Sequence, residues 1–188
     1  MTGASTQIRG GGNVYLVGMM GAGKTTVGKK LAKILQRQFV DLDHLIEKST
    51  GVSVATIFEI EGEAGFRQRE MLALAQVSAE PGLVVATGGG GVLNPINRTR
   101  LATSGFVIYL YAQPEQIYAR TRHDKGRPLL QVADPLQRIR TLVERRDPLY
   151  REVADLVVMS GNGLGNTLNC IQSALESPLE SQESEEFQ

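Results

Sequence analysis

Gly18-Met19-Met20-Gly21-Ala22-Gly23-Lys24-Thr25 carries the spacing G-x-x-x-x-G-K-[ST] of a phosphate-binding loop. It follows the apolar run Val14–Val17 and opens a helical pattern from Thr26. A strand therefore hands over to a helix N-terminus, where unsatisfied N–H groups and the positive dipole end face an anion. The glycines let backbone wrap a phosphate without side-chain collisions. Lys24 reaches the outer phosphates, and the Thr25 hydroxyl suits Mg²⁺. Gly21, Ala22, Gly23, Lys24, Thr25 and Thr26 are thus the expected contact segment for a nucleoside triphosphate.

Several further groups point to what receives the phosphate. Asp41-Leu42-Asp43 is read as the end of a second strand, where residues two apart face the same way. One carboxylate can support Mg²⁺, directly or through water, and the other can orient or deprotonate a hydroxyl. The competing reading is a pair of solvated turn residues. Arg67 and Glu70 stand three apart on a helical pattern, so the carboxylate can brace the guanidinium as a fork for an anion. A plain surface ion pair has the same spacing. Gly88, Gly89, Gly90 and Gly91 follow a third strand and allow close backbone approach to a small polar ligand, or form a hinge. Arg120 and Arg127 bracket a charged loop at His123–Pro128 that reads as a lid, and Arg146 lies near a helix end. Any of these arginines can neutralise charge on a transferring phosphoryl group, and any can be a solvated surface charge. His44 and His123 are assigned no role.

These groups must be held by alternating elements. Strands are expected at Val14–Val17, Phe39–Asp41, Leu83–Ala86, Phe106–Leu110 and Leu156–Val158, as compact apolar runs of the kind found in covered parallel sheets. Helical patterns lie at Thr26–Gln36, Val54–Ile60, Gly65–Ala79, Asn97–Thr103, Pro114–Arg122, Pro135–Arg146 and Gly165–Leu175. The alternation predicts a doubly wound α/β domain with ligands at the strands' carboxyl ends. The 188 residues suit one such domain, flanked by a flexible stretch at 1–12 and an acidic, disordered tail at 176–188. Twenty basic and twenty acidic residues cancel, so no global field draws the chain to nucleic acid or membrane. Cys170 is alone, which excludes an internal disulfide, and its apolar neighbours place it as a buried helix position. No apolar run approaches a membrane span and 1–12 lacks a signal-peptide core, so a cytoplasmic protein is expected.

In order, the phosphate loop, D-x-D at Asp41/Asp43, F-R-x-x-E at Phe66–Glu70, G-G-G at Gly88–Gly90, R-P-L-L at Arg127–Leu130 and R-x-P-L-Y at Arg146–Tyr150 closely resemble the shikimate kinase family, over roughly 13–175. The resemblance implies a P-loop three-layer α/β/α fold of the nucleoside-monophosphate-kinase type. Its five-stranded parallel sheet has the order 2-3-1-4-5, and a mobile lid covers about 120–134. It further implies transfer of the γ-phosphoryl group of ATP to the 3-hydroxyl of shikimate by a monomer, with one Mg²⁺. Carried over by position, Lys24, Asp43 and Arg127 are catalytic, and Thr25 and Asp41 serve the metal. Asp43, Arg67, Gly88, Gly89, Gly90 and Arg146 hold shikimate, and Arg120 and Arg127 hold the nucleotide. Met159-Ser160 departs from the family's Asp-Thr after the fifth strand, so no adenine contact is expected from it. The alternatives are another small-molecule kinase, such as a gluconate kinase, or a silent relative; the latter would have lost Lys24, Asp43 or an arginine.

Overall fold

The computed structural model describes residues 12–124, 126 and 128–176. The expected N-terminal stretch up to residue 11, the tail beyond Glu176, and Arg127 lie outside these residues. In chain order the elements are β1 (Asn13–Val17), α1 (Lys24–Ile34), β2 (Gln38–Asp41), α2 (Leu42–Thr50), α3 (Val54–Ser78), β3 (Leu83–Ala86), α4 (Pro95–Ser104), β4 (Gly105–Tyr111), α5 (Pro114–Thr121), α6 (Pro135–Val153), β5 (Leu156–Met159) and α7 (Leu164–Glu176).

The strands form one parallel sheet in the order β2-β3-β1-β4-β5. Every residue of β1 and β3 is buried, because helices cover both faces of the sheet centre. That placement requires continuous apolar runs in place of alternation. Asn13 is the polar exception: its side chain donates to the Val77 carbonyl at 3.0 Å and accepts from the Leu83 N–H at 2.9 Å. It thereby fixes the end of α3 against the start of β3 at no cost in unmet hydrogen bonds.

Helix starts separate into two kinds. Asp41, Ser53, Asn94 and Asp134 cap α2, α3, α4 and α6 through their side chains. α1 has no such cap: Gly23 precedes it at φ 96°, a left-handed conformation that favours glycine. Its first N–H groups therefore have no side chain in front of them.

Four expectations change. Asp41-Leu42-Asp43, read together as the end of a strand, divides after Asp41: Asp41 ends β2 and caps α2, which begins at Leu42. The patterns at 54–60 and 65–79 belong to one element broken at Gly62, whose φ of 71° and ψ of −177° are non-helical. α6 does not stop near Arg146. It runs through Pro148 to Val153, because Ile139, Leu142, Val143, Arg146, Tyr150 and Val153 continue one buried face past the proline. Cys170 is exposed, contrary to its expected burial; Thr167, Ile171 and Leu175 make up the buried face of α7 and Cys170 falls beside it.

Candidate active site

The carboxyl ends of β1, β2 and β3 open into a cleft of about 530 Å³. Its first wall is the phosphate loop. Lys24 folds back over that loop, its ammonium donating to the Gly18 carbonyl at 2.8 Å and the Met19 carbonyl at 2.9 Å. Gly21 is at φ 73°, and a Cβ there would meet Thr121 at 2.7 Å, so two constraints select glycine. Thr25 and Thr26 line the cleft, whereas Ala22 buries its side chain and donates its N–H to the Met19 carbonyl at 3.1 Å.

Asp41 and Asp43 both face this cleft, by a different route from strand alternation. Asp41 ends β2 and caps α2: one oxygen accepts the Asp43 N–H at 3.1 Å, and the other accepts the Thr25 hydroxyl at 2.7 Å. Asp43 lies in the first turn of α2, where a carboxylate is favoured by the helix dipole.

The far wall is cationic. The Arg67 guanidinium donates to Glu70 at 2.8 Å and to Glu63 at 3.0 Å. Burial works against its charge, yet Glu70 and Glu63 outweigh that and hold it above its ordinary pKa. Glu70 is 1% exposed, and burial raises its pKa against the opposing pull of Arg67; Asp43 adds to the rise. Arg146 is 3% exposed and donates to the Gly89 carbonyl at 2.9 Å. Burial lowers its pKa, and the neighbouring Arg67 charge pushes the same way. Two guanidinium groups are thus held within each other's field.

Between the walls runs the glycine loop after β3. A Cβ on Gly90 would fall 2.2 Å from the Arg67 guanidinium carbon, and one on Gly88 would fall 2.1 Å from a Glu70 oxygen. The absence of side chains is what lets the loop lie flat against this ion pair. Among the described residues, no acceptor takes the Gly89 or Gly90 N–H.

Arg120 bridges two loops, donating to the Gly21 carbonyl at 3.0 Å and to the Ser160 carbonyl at 3.2 Å. Ser160, in the segment that departs from the family pattern, is thereby tied to the phosphate loop. Sequence reasoning passed over Glu63 and gave Tyr150 no role beyond closing the R-x-P-L-Y motif. Glu63 stands four residues before Arg67, a spacing that flags a second carboxylate brace. Tyr150 stands four after Arg146, and its hydroxyl reaches the same Gly89 carbonyl. Among the described residues, no cluster of three metal-ligating side chains occurs. None of the described helices is long and apolar enough to cross a membrane.

Residues 20–174 match the family model described as shikimate kinase. A shikimate kinase of Aromatoleum aromaticum is 56% identical over 164 residues, covering 87% of this chain and 94% of that protein. One from Dechloromonas aromatica is 58% identical over 146 residues, covering 78% and 80% respectively. Among solved structures, shikimate kinase from Acinetobacter baumannii in complex with shikimate superimposes with a TM-score of 0.85 at 47% identity, covering 92% of this chain and 96% of that one. A gluconokinase from Sinorhizobium meliloti matches with a TM-score of 0.56 at 14% identity, which shows a shared fold alone. A P-loop kinase fold, an ATP-dependent kinase active-site pattern and relatives of this closeness agree: the chain belongs to the shikimate kinase family.

Proposed function

We propose that this kinase transfers the γ-phosphoryl group of ATP to the 3-hydroxyl of shikimate, with the phosphate loop holding the donor and the α2–α3 and glycine-loop walls holding the acceptor. The observation that carries the acceptor assignment is the pair Arg67 and Arg146. Two guanidinium groups in mutual repulsion on one wall favour an anion between them. A hydroxylated ring carboxylate meets that demand, with the carboxylate on the arginines and hydroxyls on Asp43 and the Gly89 and Gly90 N–H groups. A neutral acceptor, with no anion to place between the two guanidinium groups, gains less from this wall.

Each residue's role follows from its place. Lys24 turns from its two loop carbonyls to the β- and γ-phosphates when they arrive, since charged oxygens are stronger acceptors. The uncapped N-terminus of α1, with Gly21, Ala22, Gly23 and Thr26 around it, receives the phosphate chain. Asp43 accepts the hydroxyl proton's hydrogen bond and aims the oxygen at phosphorus. Arg120 holds the nucleoside side of the cleft. Arg127, from the lid at about 120–134, closes over the phosphates.

The donor set also suits Mg²⁺. Both groups needed are already 2.7 Å apart, the Thr25 hydroxyl and the Asp41 carboxylate, and Mg²⁺ on a nucleotide keeps waters and phosphate oxygens as its remaining ligands. The Thr25 hydroxyl would bind it directly, and Asp41, already occupied by helix N–H groups, through water. When bound, the ion neutralises charge shared between the β- and γ-phosphate oxygens. Positioning and charge neutralisation then supply most of the rate in a loose transition state.

One chain supplies both walls of the cleft, which supports a monomer as the working unit. The unpaired Cys170 and the cancelled net charge fit a cytoplasmic enzyme with no membrane or nucleic-acid partner. The direct test is ADP formation by purified protein with MgATP and a panel of acceptors. Turnover is expected with shikimate and absent with gluconate; no shikimate-dependent turnover refutes the assignment.

A further inference from the structure

We propose that the Tyr150 hydroxyl is a positioning group for acceptor binding: by donating to the Gly89 carbonyl beside Arg146, it holds the glycine loop and that guanidinium in one fixed relation. The inference rests on the reading of the glycine loop and Arg146 as the acceptor wall. Tyr150 and Arg146 are four apart on α6, so their side chains leave the same face of the helix. Both donate to one carbonyl oxygen, which has two lone pairs to receive them.

The loop needs such a tether. Gly88–Gly91 has no side chains to pack, and glycine loses more conformational freedom on ordering than any other residue. Its far end is held by the Asn97 side-chain amide, which donates to the Gly91 carbonyl at 3.0 Å. Its middle is held at Gly89. If that carbonyl shifts, the two N–H groups beside it and the Arg146 fork shift with it.

Tyr150 is built to stay put. It is fully buried, and its ring stacks on Tyr109 with centroids 4.8 Å apart. The Tyr109 hydroxyl in turn donates to Asp147 at 2.9 Å. Burial pushes the Tyr150 phenol above its ordinary pKa, so it remains a donor. Its hydroxyl also neighbours the Met19 sulfur at 3.7 Å, a weak acceptor, and the Arg146 guanidinium, which has donors only, so the proton goes to the carbonyl.

Tyr150→Phe keeps the ring and removes the tether. The shikimate KM is expected to rise about fivefold, with kcat within about twofold and the MgATP KM unchanged. Tyr109→Phe is the packing control: it removes the Asp147 bond in the same stack but leaves the Tyr150 hydroxyl. It should lower the unfolding temperature without moving the shikimate KM. An unchanged shikimate KM in Tyr150→Phe, or an equal rise in both KM values or loss of nucleotide binding, would overturn the proposal, because the hydroxyl would then serve nothing or only the fold. An equal shikimate effect from Tyr109→Phe would overturn it in favour of packing. Failure of the acceptor reading itself shows separately, as absent shikimate turnover in the unaltered enzyme.

Discussion

Adding one methyl group at Gly90 should disable acceptor binding while leaving the fold intact. Gly90 sits at φ −111°, a conformation open to alanine, so the substitution brings no backbone strain. Its Cβ would fall 2.2 Å from the Arg67 guanidinium carbon and 2.3 Å from both terminal nitrogens. An ordinary carbon contact needs about 3.5 Å, so the guanidinium must retreat by about 1 Å. It is the tip of a long side chain and can do so. The retreat breaks the 2.8 Å bond to Glu70, and it moves the fork away from the place where it meets a carboxylate. Misplacement of about 1 Å at a reacting or positioning group costs up to about 100-fold. Gly90→Ala is therefore expected to raise the shikimate KM by about 10- to 100-fold, with the MgATP KM unchanged and stability lowered by about 1–3 kcal/mol as the buried Glu70 loses its partner. Gly88→Ala is the contrast, since its Cβ would meet a buried Glu70 oxygen at 2.1 Å and an Asp43 oxygen at 3.0 Å. The buried Glu70 carboxylate cannot swing into solvent as Arg67 can, so that variant should lose stability first. Steady-state kinetics with ADP release coupled to a chromogenic readout, beside thermal unfolding, separates the two. A Gly90→Ala enzyme with an unaltered shikimate KM would refute the argument.

Other outcomes follow from the same geometry. Arg67→Ala should remove measurable shikimate affinity while a fluorescent nucleotide still binds as before; equal loss of both would mean damage to the fold. Lys24→Ala should depress kcat with shikimate binding retained by calorimetry. Glu70 holds its proton more tightly folded than unfolded, because burial raises its pKa. Its contribution to stability is full below the ordinary value of 4.5 and is lost as pH rises through the raised folded value. Glu70→Gln, which mimics the protonated form, should lack that decline; unfolding temperatures measured across this pH range would show parallel curves if the reasoning fails.

Much of the donor half was legible because its chemistry is local. A phosphate loop needs a strand, a glycine turn and a helix start within a short stretch, and Val14–Thr26 contains all three. The central strands were legible too, since burial on both faces leaves uninterrupted apolar runs. The sheet order came from the family resemblance, as strand order is a long-range property with no local signature. The strand was carried past Asp41 into the first turn of α2 because Asp41 does two jobs: an Asp after an apolar run reads equally as a strand end or a helix cap, and only the N–H groups whose hydrogen bonds it accepts decide between them. α6 was cut short because an internal proline ends most helices, whereas here the buried face from Ile139 to Val153 outweighs the lost bond. Tyr150 was given no role of its own for a related reason. A tyrosine on an apolar helix face looks like core, and its hydroxyl partner lies 61 residues away in the chain.

The pairing of β1 with β3 has a consequence for what this enzyme can ever accept. The two strands run side by side, Val14 opposite Val84 and Leu16 opposite Ala86, and the Thr87 N–H donates to Leu16 at 3.1 Å just before both chains turn into their loops. The donor loop and the glycine loop are therefore set apart by one strand spacing, about 4.8 Å, fixed by backbone hydrogen bonds. Side-chain replacement cannot widen that gap. On the reading proposed above, room for a bulkier acceptor would come from the opposite flank, where β2 is the sheet's edge and α3 is already broken at Gly62. On that same reading, the sheet would serve as a ruler between the donor and acceptor loops, and changes in acceptor choice would fall on the wall that the ruler does not touch.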